Sequence, residues 1–110
     1  MELKKEKGAV IYGKKLTKEV AMGYIYRGMM LTPDLPPETA NAAMRILWNM
    51  LPDVTTQSDV LTFTRFVLSK MIFGKEAAIY VEQSVNELFD SVSLEDAEDY
   101  FKNFVSLLVR

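Results

Sequence analysis

Apolar residues recur at intervals of three and four over most of this 110-residue chain, the spacing of helices that each bury one face. Ala40, Ala43, Met44, Leu47 and Leu51 form one such stripe, and Ala78, Val81, Val85, Leu88 and Val92 another. A third runs through Leu94, Ala97, Phe101, Phe104 and Leu108, widened by Tyr100 and Leu107, while Glu95, Glu98 and Asp99 look outward. The stretch from Val60 to Phe73 differs. Val60, Leu61, Phe63, Phe66, Val67, Leu68 and Met71 to Phe73 cover most of a helical circumference and leave only Thr62, Arg65 and Ser69 as a polar strip. That pattern predicts a helix at the centre of a bundle, or one partly covered by another subunit.

The punctuation between stripes sets the boundaries. Thr17 caps a first helix running to about Leu31, where Thr32-Pro33 stops it because the residue before proline is driven out of the helical region. Pro36-Pro37-Glu38 opens a second, since proline loses no hydrogen bond in a first turn, and Pro52 closes it near Met50 or Leu51. Thr55 to Ser58 supplies caps for a third, with Thr56 and Asp59 spaced as a capping box, and this helix is expected to reach Phe73. Gly74 suits the left-handed position after a helix end. Lys75-Glu76 then starts a fourth helix ending near Asp90 or Ser91, and Ser93 with Asp96 opens a fifth that runs almost to Arg110. Gly8-Ala9-Val10-Ile11-Tyr12-Gly13 is the exception, a β-prone run between glycines that must pair with a second copy or lie against the bundle if it is extended. The expectation is an all-α fold, a compact bundle of about five helices with a short N-terminal extended arm or strand. Residues 1–15 read as a basic arm and 16–110 as one helical-bundle domain, without repeats or low-complexity segments.

An apolar share of 49% with 25% charged residues is a globular composition, and a chain of this length buries roughly 65% of its unfolded surface without a metal or disulfide staple. Cysteine is absent, so a small disulfide scaffold is excluded. The apolar stretch that follows the first lysines is too brief for a signal-peptide core, and Val60 to Phe73, interrupted by Arg65 and Lys70, is too short to span a bilayer. A cytoplasmic protein with no membrane association is expected. Histidine is also absent, which removes imidazole general bases as well as nearly all zinc and haem sites. No enzyme, no metal and no cofactor are expected. Gly8 to Lys14 matches most of a phosphate-binding loop, but Lys15 stands where that loop needs a magnesium-binding Ser or Thr. Asp90 to Phe101 lacks the central glycine of a calcium loop.

The net charge of −2 conceals a polarity along the chain. Lys4, Lys5, Lys7, Lys14, Lys15, Lys18 and Arg27 make the beginning basic, whereas Glu76 to Phe101 contains eight carboxylates and no base. Glu82, Glu87, Asp90, Glu95, Glu98 and Asp99 are therefore candidates for an acidic face that meets a basic partner, although carboxylates in a helix's first turn also favour the positive end of its dipole. The seven bases, with Tyr12, Tyr24 and Tyr26 among them, are candidates for phosphate contact and base stacking, against an overall acidic balance. Met22, Met29, Met30, Met44, Met50 and Met71 fit an irregular core or an adaptable surface, and Trp48 beside Met44 and Leu51 is a possible partner anchor. The chain reads as a small non-enzymatic helical protein that binds another macromolecule, a protein above all. An adaptor, an inhibitor or a phage or mobile-element accessory protein has this character, and self-association as a homodimer or higher oligomer is expected. The alternative reading is a nucleic-acid-binding protein that uses the basic N-terminal region.

Overall fold

The computed structural model describes residues 15–71 and 74–108. The β-prone run 8–13, the loop-like Gly8 to Lys14 and the bases Lys4, Lys5, Lys7 and Lys14 lie outside those residues, as does Tyr12. Five helices carry the fold: α1 (Lys18–Met30), α2 (Pro37–Met50), α3 (Gln57–Ser69), α4 (Gly74–Ser91) and α5 (Leu94–Leu108). Two three-residue strands accompany them, β1 (Lys15–Thr17) and β2 (Val54–Thr56). The all-α bundle with a short strand near its beginning is thus what forms.

The caps act where the sequence places them. Thr17 Oγ1 accepts from the Val20 N–H at 3.2 Å, Thr56 Oγ1 from the Asp59 N–H at 3.1 Å and Ser93 Oγ from the Asp96 N–H at 3.1 Å. Pro37 occupies the first turn of α2. At the end of α1 the buried Thr32 hydroxyl donates to the Gly28 carbonyl at 2.9 Å, satisfying an acceptor that the helix terminus leaves open. Asp34 turns the chain toward α2 with φ of 61°, a left-handed conformation that aspartate tolerates better than most residues.

The strands were not foreseen at these positions. β1 and β2 pair antiparallel, with Leu16 opposite Thr55 and both side chains buried. Each strand runs directly into a helix, and the threonine that ends it caps that helix: Thr17 for α1, Thr56 for α3. Thr55 to Ser58 therefore does more than cap. The Lys18 N–H extends the ribbon by donating to Asp53 O at 3.0 Å. This pairing lies within one chain and fixes the starts of α1 and α3 side by side.

α3 ends a turn earlier than expected, at Ser69, because the Lys70 and Met71 N–H groups fold back to Val67 O and Leu68 O, both at 3.1 Å. Gly74 does adopt a positive φ of 75°, though as the first residue of α4. The larger correction concerns the core. α3 is not the central helix: Phe66 is 53% exposed and Phe63 only partly buried, and α3 buries chiefly Val60, Thr64, Val67 and Leu68. The centre is α1, where every residue from Val20 to Ile25 is buried and which touches all four other helices.

Two glycines explain why α1 holds that place. Gly23 faces α5 so closely that a Cβ there would lie within contact distance of the Ala97 carbonyl oxygen and 2.6 Å from its carbon. A Cβ on Gly28 would meet Val85 Cγ2 of α4 at 2.5 Å. Five residues advance a helix by roughly 140°, so the two glycines open separate seats for α5 and α4 on one helix. α3 and α4 pack on each other as a hairpin, while α4 and α5 lie on α1 and make little contact with one another.

Candidate functional site

α2 and α5 also rest on α1 with their backbones apart, and the space between them is an open groove. α5 approaches α1 through Ala97 on Gly23 at one end, and further along the larger rings of Tyr26 of α1 and Phe104 of α5 meet with centroids 4.9 Å apart. α2 buries the small Ala40 and Ala43 together with Met44 and Leu47. The two walls meet through aromatic side chains: Trp48 and Phe101 stack with centroids 5.3 Å apart and planes within 11°.

Two adjoining cavities make up the groove. One of about 520 Å³ is lined by Met22, Met44, Trp48, Phe101 and Val105, with Arg45 and Asn49 at its rim. The other, about 370 Å³, lies toward the end of α1 between Tyr26, Met29, Met30, Leu35 and Leu107, with Asn41 and Thr32 as polar neighbours. Phe104 and Leu108 border both. Around the mouth, Met30 is 57% and Leu107 55% exposed, and Val105 and Leu108 are exposed beside them. The stripe expected to bury Leu94, Ala97, Phe101, Phe104 and Leu108 in fact buries Ala97 and Phe104, leaves Phe101 half-buried, and exposes Leu94 and Leu108.

The methionines divide between the two roles open to them. Met22, Met29 and Met44 are buried and form floor and wall, Met50 and Met71 are half-buried, and Met30 is exposed. Trp48 is half-buried at the groove, and the Lys18 ammonium lies 4.1 Å from the centroid of its ring, a cation–π contact. Neither cavity is lined by a carboxylate, and the single charged lining residue is Arg45.

The six acidic candidates fall into groups. Glu82, half-buried on α4, pairs with Arg65 of α3 at 3.6 Å, across a smaller cavity of about 270 Å³. Glu87 and Asp90 are exposed on another face of α4, while Glu95, Glu98 and Asp99 share the outer face of α5. Of the basic candidates within the described residues, Lys15 is exposed in β1, Lys18 lies against Trp48, and the Arg27 guanidinium lies 5.5 Å from the Tyr100 ring centroid. Tyr24 is not on the surface: it is 2% exposed, packs edge-on against Phe89, and donates its hydroxyl to Val92 O at 2.6 Å. Burial, and secondarily the charge of Asp96, pushes its pKa above the ordinary tyrosine value. Among the described residues no group of carboxylates is arranged to hold a metal ion, and no helix is long and apolar enough to cross a membrane.

Sequence reasoning marked Trp48, the methionines and the wide stripe of α5, but not their convergence. The one signal for it was the excess of apolar residues at the end of α5, where Val105, Leu107 and Leu108 occupy more of the circumference than one neighbour can cover. Compared with known protein families, with curated proteins and with solved structures, the chain has no significant match.

Proposed function

We propose that this chain is a small non-enzymatic helical protein that acts by binding another protein, as an adaptor or inhibitor, and that its partner sits in the groove between α2 and α5. The observation that carries the reading is the groove itself: two adjoining apolar cavities with Met30, Val105, Leu107 and Leu108 exposed at their mouth. A contiguous apolar surface of this kind marks interaction sites, and an open apolar groove between two helices suits a third helix laid along it. Methionine walls adapt to a partner's side chains, and a half-buried Trp is a favoured anchor.

The test is comparative capture. The parent, a groove variant carrying Leu107→Glu and Leu108→Glu, and a control carrying Phe66→Glu on α3 are used to retrieve partners from cells that produce the protein. Since all three positions are exposed, the fold is expected to survive each change. A partner retained by the parent and the control but lost from the groove variant supports the reading. The same set retained by all three removes the groove as the binding site.

A further inference from the structure

Resting on the reading of the groove as a protein-binding site, we propose that its occupant is an amphipathic helix whose apolar stripe is flanked by carboxylates. The chain is acidic overall, yet no acidic side chain lines either cavity and the one charged lining residue is Arg45. Arg45 is exposed on α2, one turn from Trp48. Among the described residues the ion pair is Arg65 with Glu82, on α3 and α4, so no described carboxylate engages Arg45. Lys18 adds a second positive charge at the Trp48 end, held by the indole rather than by an acid.

Of the acids on the two walls, Glu38 lies in the first turn of α2 and Glu98 one turn before Phe101. Neither borders a cavity. The large cavity thus combines an apolar floor of Met22 and Met44, an aromatic wall of Trp48 on Phe101, and two cations, Arg45 at its rim and Lys18 against the Trp48 ring. Apolar residues at i, i+3/i+4 and i+7 of a bound helix fit the floor and wall, and carboxylates beside that stripe meet the rim. Charge complementarity of this sort discriminates among helices of equal hydrophobicity, because a basic flank would bring like charges together as the rim is desolvated.

A displayed library of helical peptides, randomised at both apolar and flanking positions, separates this inference from the reading on which it rests. It is selected in parallel on the parent, on Leu107→Glu/Leu108→Glu and on Arg45→Glu, each confirmed helical by circular dichroism. The parent is expected to enrich peptides with a helical apolar stripe and an excess of Asp and Glu beside it. Enrichment that is the same on the groove variant, or absent altogether, overturns both the groove and its occupant. Groove-dependent enrichment without an acidic excess leaves the groove standing and overturns the acidic helix. Affinities of the enriched peptides follow from the emission of Trp48, the chain's single tryptophan. Arg45→Glu is expected to weaken an acidic peptide about tenfold or more and to shift the selection toward Lys and Arg. An unchanged affinity in that variant, or displacement of the peptide by sodium decanoate at equal concentration, which would point to a fatty-acid site, overturns the proposal.

Discussion

Replacing Gly23 by alanine tests the architecture at its tightest point. The added methyl would come within contact distance of the Ala97 carbonyl oxygen and stand 2.6 Å from the carbonyl carbon and 3.2 Å from Ala97 Cα. All three are backbone atoms, so no rotamer change relieves the clash and α5 must move as a unit. On helix propensity alone the change is favourable by about 1 kcal/mol, because glycine is a poor helix former. Overpacking a tight contact typically costs about 1 to 3 kcal/mol, and a rigid partner places this site at or above the upper end. The net expectation is a loss of about 2 kcal/mol or more, a large fraction of the stability of a domain this size. Gly28→Ala provides the internal comparison: its nearest obstacle is Val85 Cγ2 at 2.5 Å, a side-chain methyl and not backbone, so its cost is expected to be smaller. Urea unfolding followed by circular dichroism and by Trp48 emission measures both, and Trp48 reports directly on α5 because it stacks on Phe101. A Gly23→Ala variant as stable as the parent, or more so, would refute the close approach. So would rescue by Ala97→Gly, since the obstacle is the backbone and not the Ala97 side chain.

Other consequences are open to measurement. Leu68→Ala, at a fully buried site on α3, is expected to cost about 2 to 5 kcal/mol in chemical denaturation, whereas Phe66→Ala on the same helix should cost under about 1 kcal/mol; equal losses would contradict the orientation of α3. Tyr24 keeps its proton longer in the folded than in the unfolded chain. Its contribution is intact below the ordinary tyrosine pKa near 10 and falls as pH rises beyond it, where the unfolded state ionises first; Tyr24→Phe should flatten that alkaline decline, and an unchanged pH profile would argue against its burial. Reversing Glu95, Glu98 and Asp99 to lysine is expected to slow association with a captured partner and to weaken its salt dependence if the outer face of α5 takes part in binding; unchanged kinetics at low and high salt would leave those carboxylates the dipole role alone. Sedimentation is expected to show self-association, most simply a two-fold dimer, and a mass of 12.6 kDa up to high concentration would exclude it.

The local elements were legible in the sequence because their determinants are local. Thr17, Thr56 and Ser93 cap from fixed offsets, Pro37 occupies a first turn and proline cannot continue a helix, and the stripes of α2 and α4 bury the residues that their spacing selects, save Val92, which is half-buried just past the end of α4. What the sequence could not reveal depended on partners distant along the chain. The pairing of Leu16 with Thr55 joins residues whose neighbours read individually as caps, and three-residue strands are too short to carry a period of their own. α3 looks central by composition, yet burial follows from how many neighbours a helix can admit, and Gly23 and Gly28 let α1 seat α5 and α4 where the phenylalanines of α3 could not. The groove arises in the same way. Trp48, Met44, Phe104 and Leu108 are each unremarkable on their own helices, and they become a surface only because α2 and α5 both seat on α1 and leave their facing sides toward one another.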